Sequence, residues 1–88
     1  MTLKTRVLFV EDSLDGRINA VFPDLMNGRY YIRYAHTGVH SHVHKEWVEE
    51  CSLAEDYSDL QDELMTRGYD LHVMNNDLET AKLLGIKL

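Results

Sequence analysis

With 88 residues the chain forms one domain, 1–88, able to bury roughly 60 to 65 per cent of its unfolded surface and too short for a second independent core. A hydrophobic content of 44% beside 27% charged residues excludes wholesale disorder. The net charge of −6 lies entirely in the second half: residues 1–45 hold six basic and four acidic side chains, and residues 46–88 hold three basic and eleven acidic ones. Residues 46–63 carry eight carboxylates and neither lysine nor arginine, so that stretch cannot grip a phosphate backbone and direct nucleic-acid binding is not expected. No apolar run approaches a membrane span, and Met1-Thr-Leu-Lys4 lacks the basic-then-apolar start of a signal peptide. The expectation is a cytoplasmic protein without membrane contact. The single cysteine, Cys51, suits a reducing compartment, and its neighbours Glu49, Glu50 and Glu55 oppose a reactive thiolate, so it reads as a small core residue.

In chain order, Arg6–Val10 is a short apolar run bounded by an acidic, glycine-containing segment and predicts a strand. Its extension Val7-Leu-Phe-Val-Glu-Asp-Ser13 resembles the first strand and acidic pair of response-regulator receiver domains. That likeness covers about ten residues, and the repeated strand-helix units and later acceptor aspartate of a receiver have no room in this chain. Ile18–Phe22 predicts a second strand, stopped by Pro23-Asp24, with Asn27-Gly28 as a tight turn before an antiparallel neighbour.

That neighbour is Arg29–His36, where Tyr30, Ile32, Tyr34 and His36 alternate with Tyr31, Arg33 and Ala35. Thr37-Gly38 breaks the alternation, and His40, His42 and His44 follow at every second position. If extended, these rings share one side with His36. Imidazole is a common ligand for zinc, copper and nickel, so His36, His40, His42 and His44 are candidate metal ligands, although the serine, valine and glycine between them equally fit an exposed loop.

Residues 43–53 fit either a helical turn around His44–Val48, from the spacing of Val43, Trp47, Val48 and Cys51, or an extended edge. Ser52-Leu-Ala-Glu55 has capping-box spacing, Leu53, Tyr57, Leu60 and Leu64 form one stripe, and Gly68 stands where a helix stops, which predicts a helix over Ala54–Arg67. Tyr69–Met74 alternates as a strand with Leu71 and Val73 inward and His72 outward. Asn76-Asp-Leu-Glu79 opens a short C-terminal helix carrying Leu78, Ala81 and Leu84 and ending at Gly85.

The set Ala20-Val-Phe-Pro23, Tyr34-Ala-His-Thr-Gly38, Trp47, Cys51, Ala54-Glu-Asp-Tyr57, Asp59-Leu60, Glu63-Leu64 and Gly68-Tyr-Asp-Leu-His-Val73 resembles small uncharacterised proteins of bacterial prophages and other mobile elements. The resemblance implies a mobile-element origin and no particular activity. The N-terminal strand and C-terminal helix lie outside the pattern.

The predicted fold is α+β: a small antiparallel or mixed sheet of about four strands, with the Ala54–Arg67 helix across one face and a short C-terminal helix. The helix would bury Val21, Ile32, Tyr34, Leu60, Leu64, Leu71 and Val73 together. The outer face bearing Tyr31, or the apolar Leu83, Leu84, Ile86 and Leu88, would then serve a homodimer. No nucleophile lies in a recognisable turn and no glycine loop supports an oxyanion, so no enzyme activity, catalytic residue or cofactor is expected. The leading functional expectation is an acidic module that binds a protein partner, a basic one for the acidic run, through Tyr31, Arg33, His40, His42, Trp47, Glu55, Asp59, Asp62 and Glu63. A metal-binding role for the histidines is the alternative, and an acidic mimic of nucleic acid is a variant of the first.

Overall fold

A computed structural model of the chain describes residues 4–35 and 40–87, Asn27 by its backbone. Nine elements follow in order: β1 (Thr5–Glu11), β2 (Ile18–Asn27), β3 (Tyr30–Tyr34), β4 (His40–His44), α1 (Lys45–Glu50), β5 (Ser52–Leu53), α2 (Ser58–Thr66), β6 (Leu71–Val73) and α3 (Leu78–Leu83). The six strands form one sheet, in the order β4-β3-β2-β1-β5, and β6 also lies against β1. All pairings are antiparallel except β6 with β1. The fold class is α+β as expected, with more strands than the four predicted and with helices on both faces of the sheet instead of one.

β1 explains that double covering. Val7–Val10 are all fully buried, and successive residues of a strand point to opposite faces. Val7 and Phe9 join Ala20, Phe22, Tyr34, Ala54, Leu60 and Leu64 beneath α2, with Ile32, Leu71 and Val73 packed against them. Leu8 and Val10 join Val21, Tyr31, Val43, Val48, Cys51, Ala81, Leu84 and Ile86 on the other side, under α1 and α3. A strand buried on both faces reads as an unbroken apolar run, which is what Val-Leu-Phe-Val is. The expected common core is therefore divided, because Val21 is one residue out of phase with Ala20 and Phe22 and faces the second layer. Tyr31, Leu84 and Ile86, expected on a dimer surface, are buried in that layer, and only Leu83 of the group stays exposed. Leu88 lies outside the described residues.

β1 also lines the closed edge of the sheet. Its first half pairs with β6, Thr5 to Leu71 through Val7 to Val73, and its last two residues pair with β5. The gap between these short strands is bridged by a side chain. Asn75 Oδ1 accepts from the Phe9 N–H at 2.9 Å, while Asn75 Nδ2 donates to the carbonyls of Phe9 at 2.9 Å and Ala54 at 3.2 Å. The amide thus replaces a peptide group of the missing ladder residue. A parallel bridge from Ser52 to Lys87 adds the end of the described chain to the same edge.

Boundaries differ from expectation where local chemistry competes with pattern. β2 runs on past Pro23, because the register shifts between Phe22 and Met26, and an irregularity is where proline, which donates no hydrogen bond, can sit in a ladder. The hairpin closes at Gly28-Arg29, with Gly28 at φ +63° in the first central position. β3 spans Tyr30–Tyr34, shorter than Arg29–His36, and both His36 and Thr37-Gly38 lie outside the described residues. Residues 43–53 are the end of β4, then α1, then β5, so the segment holds both the helical turn and the extended edge between which its pattern left the choice open. Ser52 is not a cap but pairs with Glu11, so α2 begins at Ser58 and not at Ala54. Its start is supported by Asp56 Oδ1, which accepts from Ser58 Oγ at 3.1 Å. Gly68 (φ +100°) ends that helix as predicted. In the last helix Asp77, not Asn76, is the cap, its side chain accepting from the Thr80 N–H at 3.3 Å.

Candidate functional site

The histidine row lies on β4, whose only ladder among the described residues is the one to β3. His40, His42 and His44 stand opposite Tyr34, Ile32 and Tyr30, on the α2 side of the sheet. Successive rings on one strand originate about 7 Å apart, so all three span about 14 Å, too far for one ion to meet every ring. Two are also engaged otherwise. His40 Nε2 and Tyr69 Oη are 2.6 Å apart, and the His40 ring touches those of Phe22, Tyr34 and Tyr69. His44 Nδ1 accepts from the Glu46 N–H at 3.2 Å, capping α1, and its ring meets Tyr30 edge-on. Among the described residues no group of three histidine, cysteine or acidic side chains could hold a metal within one copy.

Next to His40 the end of α2 builds a polar corner that the sequence pattern did not single out. The Tyr34 hydroxyl and Glu63 Oε2 are both removed from solvent, and the Glu63 carboxylate beside the phenol holds the Tyr34 pKa above its ordinary value, as does burial. The Arg67 guanidinium sits 4.9 Å over the Tyr34 ring and pulls the other way. A hollow of about 300 Å3 opens between His40, Arg67, Gly68 and Tyr69. Glu63 is therefore half-buried against Tyr34, unlike the exposed Glu55, Asp59 and Asp62. Its spacing from Arg67, one helical turn, is the signal in the sequence that could have joined them.

The remaining aromatic candidates lie on the opposite face. Arg33 Nε donates to Ser41 Oγ at 3.0 Å, and its guanidinium lies 5.1 Å from the centre of the half-buried Trp47 ring. Tyr31 is enclosed in the core of that layer, where burial and then Glu49 raise its pKa. The predicted contact residues thus separate into two sets: Arg33 and Trp47 beside α1, and His40, His42, Asp59 and Asp62 on the α2 side.

The acidic run is spread over several elements instead of forming one face. Glu46, Glu49 and Glu50 lie on α1, Glu55 and Asp56 at the corner after β5, and Asp59 and Asp62 on α2. At that corner is a groove of about 590 Å3 with Ile18, Leu53, Ala54 and Leu78 as its apolar lining, and Glu11, Glu55, Asp56 and Lys87 as its polar one. Leu78 is 53% exposed, so the groove presents apolar surface to solvent next to three carboxylates. The ion pairs of Arg6 with Asp24 and of Arg17 with Asp15 do not involve these carboxylates, and Lys87 is the cation in the same lining.

Cys51 lies nearby but inward. Burial, followed by Asp12 and Glu50, pushes its thiol up to about 12, and Sγ donates to the Trp47 carbonyl at 3.4 Å. A thiol so placed is not a nucleophile at neutral pH. No helix among the described residues is long and apolar enough to cross a membrane. No protein-family model matches the chain, and neither does any curated protein or solved structure.

Proposed function

We propose that the chain is a small acidic interaction module, without catalytic activity of its own, that takes a basic segment of a protein partner into the groove beside β5. The observation that carries this reading is the pairing of apolar lining with a carboxylate rim at Ile18, Leu53, Leu78, Glu11, Glu55 and Asp56. Such a groove buries an aliphatic side chain while attracting a flanking lysine or arginine, so area supplies affinity and charge supplies steering. The resemblance to prophage proteins supports a mobile-element origin. A nucleic-acid mimic is the special case in which the partner's basic segment is its own nucleic-acid-binding surface, and duplex DNA would then compete.

The test is capture from host lysate by immobilised protein over a salt series. Capture should weaken steeply with salt, since exposed charges are screened over about 8 Å at physiological ionic strength. It should be lost with Glu55→Lys plus Asp56→Lys and survive Arg33→Ala. The reverse pattern, indifference to the groove variant and loss with Arg33→Ala or Trp47→Ala, would transfer the contact to the α1 side.

A further inference from the structure

The outer edge of β4 is unpaired among the described residues, and Lys, Glu or Pro, the residues that ordinarily shield such an edge, are missing from His40–His44. The strand reads His-Ser-His-Val-His, so its histidine positions repeat under reversal of direction. Two copies aligned antiparallel about a twofold axis at His42 place His42 opposite His42, and His40 opposite His44, with all six rings on one side of the joined sheet. Ser41 then faces Val43 on the other side, and no like charges meet.

This arrangement brings to one place more rings than a single strand can direct at one ion. Facing residues of an antiparallel pair have Cβ atoms about 4.5–5.5 Å apart, against the 7 Å or so between alternate residues of one strand. Two imidazoles at the shorter separation can share an ion at metal–nitrogen distances of about 2.0–2.1 Å. His42 is exposed and makes no hydrogen bond among the described residues, leaving both ring nitrogens open. His40 commits Nε2 to Tyr69 and, with that nitrogen as the donor, keeps the Nδ1 lone pair for a ligand, whereas His44 accepts from the Glu46 N–H through Nδ1, carries its proton on Nε2 and stays outside the ligand set. A ladder of five residues is far smaller than the roughly 1,200–2,000 Å2 buried in stable interfaces, so strand pairing alone does not hold two copies together. The ion has to contribute the rest.

We propose that β4 is half of a metal site: two copies pair antiparallel along it, and the facing histidines, centred on His42 of each, bind a divalent transition-metal ion of the zinc class. The site is incomplete in one chain, and its occupancy and dimerisation are one event.

Sedimentation of the full chain in chelator and then with zinc tests this directly. The expected result is a one-chain mass in chelator, a two-chain mass with zinc, and reversal when chelator returns. His42→Ala and the more conservative His42→Gln should both abolish the shift, with circular dichroism unchanged because the side chain is exposed. His72→Ala, on the distant β6, should leave it intact, as should Glu55→Lys plus Asp56→Lys, which separates this site from the groove. Absence of zinc binding, zinc bound to a chain that stays single, a dimer that persists in chelator, or a zinc-dependent dimer that survives loss of His42 would each overturn the proposal.

Discussion

The two faces of the sheet are closed by different means. On one, α2 lays Leu60 and Leu64 onto Phe9, Phe22 and Tyr34, and Phe9 stacks on Tyr57 with ring centres 4.5 Å apart. On the other, two helices of six residues each cover Leu8, Val10, Val21 and Tyr31. Helices of that length are not stable by themselves. They stay in place because both ends are tied: α1 grows out of β4 under the His44 cap, and α3 runs from the Asp77 cap to Gly85, which leads into the pairing of Lys87 with Ser52. A face covered by one amphipathic helix thus depends on side-chain volume, whereas a face covered by short pieces depends on caps and backbone bonds.

Substitutions can separate these dependences. The largest loss is expected from Leu64→Ala, fully buried under α2, at about 2–5 kcal/mol in urea unfolding at neutral pH. Asn75→Ala should follow at about 1–3 kcal/mol, because the Phe9 N–H in the partly buried seam between the faces loses its acceptor. Asp77→Ala should cost about 0.5–2 kcal/mol and act on the α3 face alone, visible as faster amide exchange in residues 78–84 with α2 unaffected. If Leu64→Ala proved milder than Asp77→Ala, the contrast between volume and caps would be reversed.

A last contrast is silent at neutral pH. Cys51 is held near 12 in the folded chain against an ordinary 9.0, so the unfolded chain gives up its proton first and stability falls as pH rises above 9. Tyr31 and Tyr34, both raised from 10.0, act in the same direction, one on each face. Cys51→Ala should therefore flatten the alkaline limb measured between about pH 8 and about pH 10.5, while leaving the part due to the tyrosines.

Much of the α2 face was legible in the sequence. Tyr57, Leu60 and Leu64 recur at helical spacing, Gly68 marks the stop, and Ile32 with Tyr34 alternates as a strand must. The opposite face was legible only in its pieces and not in their assembly, for physical reasons. Ser52-Leu-Ala-Glu55 satisfies the spacing of a capping box, but tertiary pairing of Ser52 with Glu11 overrides that local preference. Pro23 looks like a stop until a bulge accommodates it. Both short helices have their signal, the spacing around His44–Val48 and the cap and leucines before Gly85, but six residues do not show which face a helix covers, so Tyr31, Leu84 and Ile86 were expected on an open surface. For the candidate sites, the alternation of His40, His42 and His44 was plain, while the groove was hidden because Ile18, Leu53 and Leu78 meet only after folding.

The placement of β1 has a consequence for how the chain acquires its structure. The strand precedes all its partners in the chain, and its second edge is completed by Leu71–Val73 and by Asn75, 66 residues away from Phe9. Contacts of such separation carry a loop-closure cost before they contribute stability, and slow the search. During synthesis Val7-Leu-Phe-Val10 can pair with β2 soon after both are made, but its other edge waits until Leu71–Asn75 has left the ribosome. An early apolar strand with one edge open is a target for chaperones and for pairing with other nascent chains.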